Sequence, residues 1–165
     1  MIVVILHCHF ERGGVTQVVE NHVRSLRNND EVERIVLVSG PRQSGLSEET
    51  RKCVDLVTLD DFDYDTAGYS AADLSSRRDR ITHQLCCRLI ELGVSNQQAV
   101  LHWHNHSLGK NTAAPAVIRR LAEQGWRLLL QIHDFAEDYR PDNYRRLVDA
   151  IGAEDKADVD SYLYP

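Results

Sequence analysis

Ile2-Val3-Val4-Ile5-Leu6, followed by the hinge Glu11-Arg12-Gly13-Gly14, is the stretch whose reading decides the fold. The first five residues are an unbroken, mostly β-branched run, as expected of a strand buried on both faces of a parallel sheet. After the glycines, Val15, Val18, Val19, His22, Val23 and Leu26 recur at helical spacing and form one apolar stripe. Adjacent glycines between strand and helix let the backbone turn tightly and approach a ligand without a Cβ in the way. The N–H groups of the helix start then face that ligand and form an anion site. The strand also runs out into His7, His9, Glu11 and Arg12, costly chemistry for a plain turn. Gly-Gly alone fits a tight connection equally well. Neither G-x-G-x-x-G nor G-x-x-x-x-G-K-[ST] is present, so the turn by itself argues for no particular cofactor.

Working outward, strands and helices alternate. Arg34–Ser39 reads as a second buried strand, Val54–Leu59 as a third near the sheet edge, and Ala99–His104 as a fourth. Arg127–Ile132 reads as a fifth, nearly all apolar and therefore expected to be central. Helices are expected from Leu74 to Leu92, closed by Gly93, from Thr112 to Gln124, and from Pro141 to Gly152. The pattern predicts an α/β fold, a Rossmann-like three-layer αβα unit with a mainly parallel sheet. Ser161-Tyr162-Leu163-Tyr164-Pro165 reads as the opening of a further strand that is cut off, a sign of truncation.

At 165 residues the chain fits one domain, large enough to bury roughly 70% of its unfolded surface. A net charge of -6 argues against a dedicated nucleic-acid binder. The pairs Arg77-Arg78, Arg119-Arg120 and Arg145-Arg146 read as solvated helix surface, with peripheral contact to acidic lipid as the weaker alternative. Cys8, Cys53, Cys86 and Cys87 have no C-x-x-C spacing. With no signal peptide and no stretch of transmembrane length, the expectation is a cytoplasmic protein. Asp60-Asp61-Phe62-Asp63-Tyr64-Asp65 lacks the EF-hand pattern and reads as a solvated, mobile loop. Together with residues 40–50, residues 60–73 are expected to shape a substrate pocket.

Histidines mark the strand ends: His7 and His9, His102 and His104, and His133, with His106 two residues beyond His104. Period-two spacing sets His102, His104 and His106 on one face. If strand one neighbours strand four, the glycine turn, His104-Asn105-His106 and His133-Asp134 meet at the topological switch point, where such folds bind ligands. Three chemistries fit: a polar ligand such as a sugar, a transition metal held by His-x-His and Asp134, or satisfied core histidines with no function. For a lone histidine such as His22 or His83 the last is the default. No G-x-S-x-G elbow supports an α/β-hydrolase.

Taken together, the glycine turn, Leu101-His102-Trp103-His104-Asn105-His106 and Gln131-Ile132-His133-Asp134-Phe135 resemble the amino-terminal, acceptor-side domain of retaining GT-B glycosyltransferases of the subfamily-4-like group. The resemblance spans nearly the whole chain and implies sugar transfer from a nucleotide-sugar donor to an acceptor, with retention and without an essential metal. It implies no cofactor, the nucleotide-sugar being a co-substrate. It places His133 and Asp134 among the catalytic residues and Gly13, Gly14 and Arg12 at the donor diphosphate. His104, Asn105, His106 and His9 fall at the sugar or acceptor. The basic pair and paired glutamates of the family's second domain are absent, so the chain reads as half an active site, inactive alone and partnered by a missing carboxy-terminal domain. The competing readings are a metal-dependent hydrolase built on the His-x-His clusters and a non-catalytic α/β ligand-binding domain.

Overall fold

A computed structural model describes residues 1–66, 68–152 and 156–164. Five strands, β1 (Ile2–Leu6), β2 (Arg34–Ser39), β3 (Asp55–Thr58), β4 (Ala99–His104) and β5 (Arg127–Gln131), form one sheet in the order β3-β2-β1-β4-β5. Every pairing is parallel. Between the strands run α1 (Gly14–Leu26), α2 (Glu48–Cys53), α3 (Ala71–Glu91) and α4 (Ala114–Glu123); α5 (Pro141–Ile151) and α6 (Lys156–Leu163) follow β5. This is the expected three-layer α/β architecture, with strand one beside strand four.

Side-chain alternation along the strands divides the core in two. Ile2, Val4, Leu6, Leu101 and Trp103 point to one face and pack with Ile81, Leu85 and Leu89 of α3 and Val117, Ile118 and Leu121 of α4. Val3, Ile5, Ile35 and Leu37 point to the other and pack with Val19 and Val23 of α1. In register, Ile5 pairs with His102. His102 and His104 therefore project onto the α1 face, where an aliphatic residue would ordinarily sit.

Several expectations are corrected. β5 is at the sheet edge, not its centre: Leu128 and Leu130 pack against the α3/α4 core, but Leu129 is 52% exposed on the opposite face. An unbroken apolar run signals burial on two faces only where both faces are covered. The segment before Pro165 is helical rather than a nascent strand, with Pro165 itself outside the described residues. Val159 and Leu163, one helical turn apart, pack on Ala136 and Leu147. That spacing of four becomes visible only in a window longer than the final five residues.

The acidic loop is not a solvated one. Asp60–Phe62 is a single 3-10 turn with Phe62 buried against Trp103. Asp65 and Arg77 form an ion pair whose side chains are 2% and 5% exposed. Arg77 thus belongs to the interior, unlike its neighbour Arg78, while Arg145 is exposed as expected. Ser70 caps α3 in a capping box with Asp73, three residues earlier than the apolar pattern suggests. No helix among the described residues is long and apolar enough to cross a membrane.

Candidate functional site

The carboxyl ends of β1, β4 and β5 are tied together by imidazoles. His7, just past β1, donates from Nδ1 to the His104 carbonyl at 3.1 Å. His104, the last residue of β4, meets His133 beyond β5 through an Nδ1···Nε2 hydrogen bond of 2.8 Å, with the rings stacked at 5.1 Å. Asn105 adopts a left-handed conformation, φ 56, and turns the chain out of β4. Its Oδ1 accepts from the His133 and Asp134 amides at 2.7 and 3.2 Å. Asparagine suits this position because it tolerates a positive φ and can hydrogen-bond locally. Asp134 is half-exposed and pairs with Arg140 at 3.1 Å, with the Asn105 amide donating to it at 3.4 Å.

Burial sets the charge of this cluster. It pushes the His7 imidazole down to about 4, partly opposed by the hydrogen bond to the His104 carbonyl. Burial and then the neighbouring rings of His102, His133, His7 and His22 hold His104 far below its usual range. The pKa of His102 is lowered by burial as well, against its hydrogen bond to Gln131. At neutral pH His7, His102 and His104 are therefore uncharged, each offering one donor and one acceptor.

Asn105 also redirects the chain so that His106 leaves the row of rings. Its Nε2 bonds the Leu163 carbonyl at 2.6 Å, and its ring stands edge-on to Tyr164. Period two stops where the strand stops, so the expected common face for His102, His104 and His106 holds only for the first two. His9 also stands apart from His104. It lies edge-on to Tyr64 at 4.7 Å and 5.3 Å from the His7 ring.

Around His9 the structure adds residues that the sequence did not single out. Arg42 pairs with both Glu11 and Asp63 and lies over the Tyr64 ring at 5.4 Å, and Lys110 lies over the same ring at 4.7 Å. These charges come from loops far apart in the chain, so only the folded sheet brings them together. Gln131, the last residue of β5, bonds His102 at 2.8 Å and opens the Gln131–Phe135 stretch that carries His133.

The glycine turn is open. Gly13 precedes α1 in an extended conformation with no side-chain cap, and both glycines are exposed. A Cβ on Gly14 would meet nothing within 4 Å, and one on Gly13 only the Glu11 carbonyl at 4.0 Å. The fold itself therefore does not require glycine at either position. Gly45 differs, since its Cβ would fall 2.5 Å from the Glu11 carbonyl carbon. Arg12 is exposed and has no ion-pair partner among the described residues. On the far side of His133 an open cleft is lined by His133, Asp134, Phe135, Asp138, Tyr139 and Arg140. Phe135 and Tyr139 present their rings to solvent there.

What the arrangement offers is a row of neutral imidazoles, free amides at a helix start, and aromatic rings beside carboxylates and an arginine. Such groups can hydrogen-bond ligand hydroxyls, stack on an apolar ring face and meet an anion at the helix start. No family model and no solved structure matches the chain. Over 162 residues, 98% of its length, it is 26% identical to mannosylglucosyl-3-phosphoglycerate synthase of Petrotoga mobilis. The chain spans 30% of the length of that protein.

Proposed function

We propose that the protein carrying this chain is a retaining glycosyltransferase of the GT-B type, and that residues 1–165 form its acceptor-side domain. The observation that carries the reading is the hydrogen-bonded pair His104–His133 at the carboxyl ends of adjacent strands, in a sheet whose first strand leads into an uncapped helix start with two exposed glycines. In this reading the Gly13 and Gly14 amides face the donor diphosphate and Arg12 adds a cation. His133 hydrogen-bonds the donor sugar and fixes the anomeric carbon, with His104 holding its ring. Asp134, already paired with Arg140, positions the His133 loop. His9, Asn105 and the cleft beyond His133 face the acceptor side.

Catalysis would be mainly electrostatic. Charge developing on the departing diphosphate is met by preorganised donors, and holding the sugar in place removes entropy from the reaction. No metal is needed as a reactant, and the remaining phosphate charge falls to a second domain. Since the relative's name specifies a glycosylated 3-phosphoglycerate, phosphorylated glycerate glycosides are the first acceptors to examine.

A screen of nucleotide-sugars, read as acceptor-dependent release of nucleoside diphosphate and as product anomeric configuration by NMR, tests the assignment. Retention is expected; inversion, or no transfer from any donor, would remove it. Substitution at the turn separates ligand contact from folding. Gly14→Ala should leave the thermal midpoint unchanged or slightly raised, because the new methyl meets open space. It should raise the donor KM by about tenfold or more. Unaltered donor kinetics would place the turn outside the site.

A further inference from the structure

Beneath the cleft, on the α1 face of the sheet, three imidazoles converge. One ring nitrogen each of His22, His102 and His104 lies within 4.8 Å of the others. His22 stacks on His102 at 5.1 Å, and His102 stands 4.4 Å from His104. His22 Nδ1 and His104 Nε2 are both buried without a hydrogen-bond partner among the described residues, and the His104 residue is fully buried. A buried ring nitrogen without a partner is costly. Two of them in one cluster ask for a common partner.

We infer that His22, His102 and His104 form a binding site for one borderline divalent cation of the zinc, cobalt or nickel class. An all-imidazole set selects such ions over magnesium or calcium, which prefer oxygen ligands. The outer contacts already orient the rings. Gln131 Oε1 can only accept, so the His102 Nε2 bonded to it at 2.8 Å carries the proton and Nδ1 keeps its lone pair. His104 Nδ1 is engaged by His133, leaving the buried Nε2 available to a ligand. Metal-bound histidines characteristically use their second nitrogen this way.

Tetrahedral coordination at metal–nitrogen distances of about 2.1 Å brings ligand nitrogens to about 3.4 Å from one another. Closing the cluster needs movement mainly of His22, which is only half-buried on its helix. The fourth position is left for solvent. Because the same His104 ring contacts His133, an ion here would lock the tautomer in which His104 Nδ1–H donates to His133 Nε2. The inference is independent of sugar transfer, in which the ion is no reactant.

The test uses untagged full-length protein, stripped with chelator, loaded with Zn2+ or Co2+ and desalted. One equivalent of Zn2+ per chain by mass spectrometry, with a tetrahedral Co2+ visible spectrum, is the expected result. His22→Ala, which removes a half-buried side chain and spares the sheet, should abolish retention, with circular dichroism unchanged. Gln131→Ala should weaken binding by about tenfold or more, and His83→Ala on α3 should leave it unchanged. Substoichiometric metal in the wild type, or equal retention by His22→Ala, overturns the assignment whatever the transferase assay shows.

Discussion

Arg77→Ala is expected to cost about 3–5 kcal/mol of unfolding free energy, because it leaves a buried carboxylate without its counter-charge. The side chains of Arg77 and Asp65 are almost wholly buried, and each makes further hydrogen bonds. The guanidinium also donates to the Asp61 carbonyl at 2.7 Å and the Asp63 carbonyl at 3.2 Å, and stacks over Tyr69. Asp65 accepts from the Thr112 amide at 2.9 Å and the Thr112 hydroxyl at 2.7 Å. The pair thus fastens the loop after β3 to the start of α4 and, through it, sets Asp63 and Tyr64 beside His9. Chemical denaturation of Arg77→Ala, Asp65→Leu and the double variant Arg77→Met/Asp65→Leu measures this. The double variant should be less damaged than Arg77→Ala, since removing both charges leaves none unpaired. A loss below about 1 kcal/mol for Arg77→Ala would show a pair no stronger than one on the surface.

Acid should destabilise the chain well before its carboxylates protonate. His7 titrates at about 4 when folded against 6.5 in the reference state. Below pH 6.5 the unfolded chain takes up a proton that the folded chain refuses, so stability is complete above that pH and falls as pH drops towards 4. For His7 alone the full loss is about 3 kcal/mol, of which about 2 kcal/mol is gone by pH 5. The lowered values of His102, His104 and His106 act in the same direction. Urea unfolding at pH 7.5, 6 and 5 reads this directly. His7→Asn keeps a donor for the His104 carbonyl but cannot titrate, and should flatten the slope by about one proton. Equal stability at pH 7.5 and 5 would mean that these rings are not neutral in the folded protein.

The architecture was legible because strand runs and helix stripes follow different periods, and β1–α1 states both within one short stretch. The neighbourhood of β1 and β4 followed from assuming a doubly wound sheet, whereas the edge position of β5 did not. What was not legible depended on partners distant in sequence. Nothing local distinguishes an acidic loop that stays in water from one whose Asp65 meets Arg77 across the fold. The apolar run of β5 could not reveal that one of its faces is left uncovered. His106 was misplaced because period two cannot announce the residue at which a strand ends, and only the positive φ of Asn105 does so. His22 carries a signal in its position: an imidazole within the apolar stripe of α1 must find a partner on the sheet, and it stacks on His102.

The central claim is that the His133 ring, held by His104 and by the Asn105 turn, contacts the reacting sugar. The most direct measurement is kcat/KM for sugar transfer by His133→Ala in the full-length protein, with thermal unfolding followed in parallel. A fall of about 100-fold or more at an unchanged unfolding midpoint is the predicted result, in line with loss of one preorganised hydrogen-bonding group. Turnover within about twofold of wild type would contradict it, since so small a change amounts to less than about 0.5 kcal/mol of transition-state stabilisation.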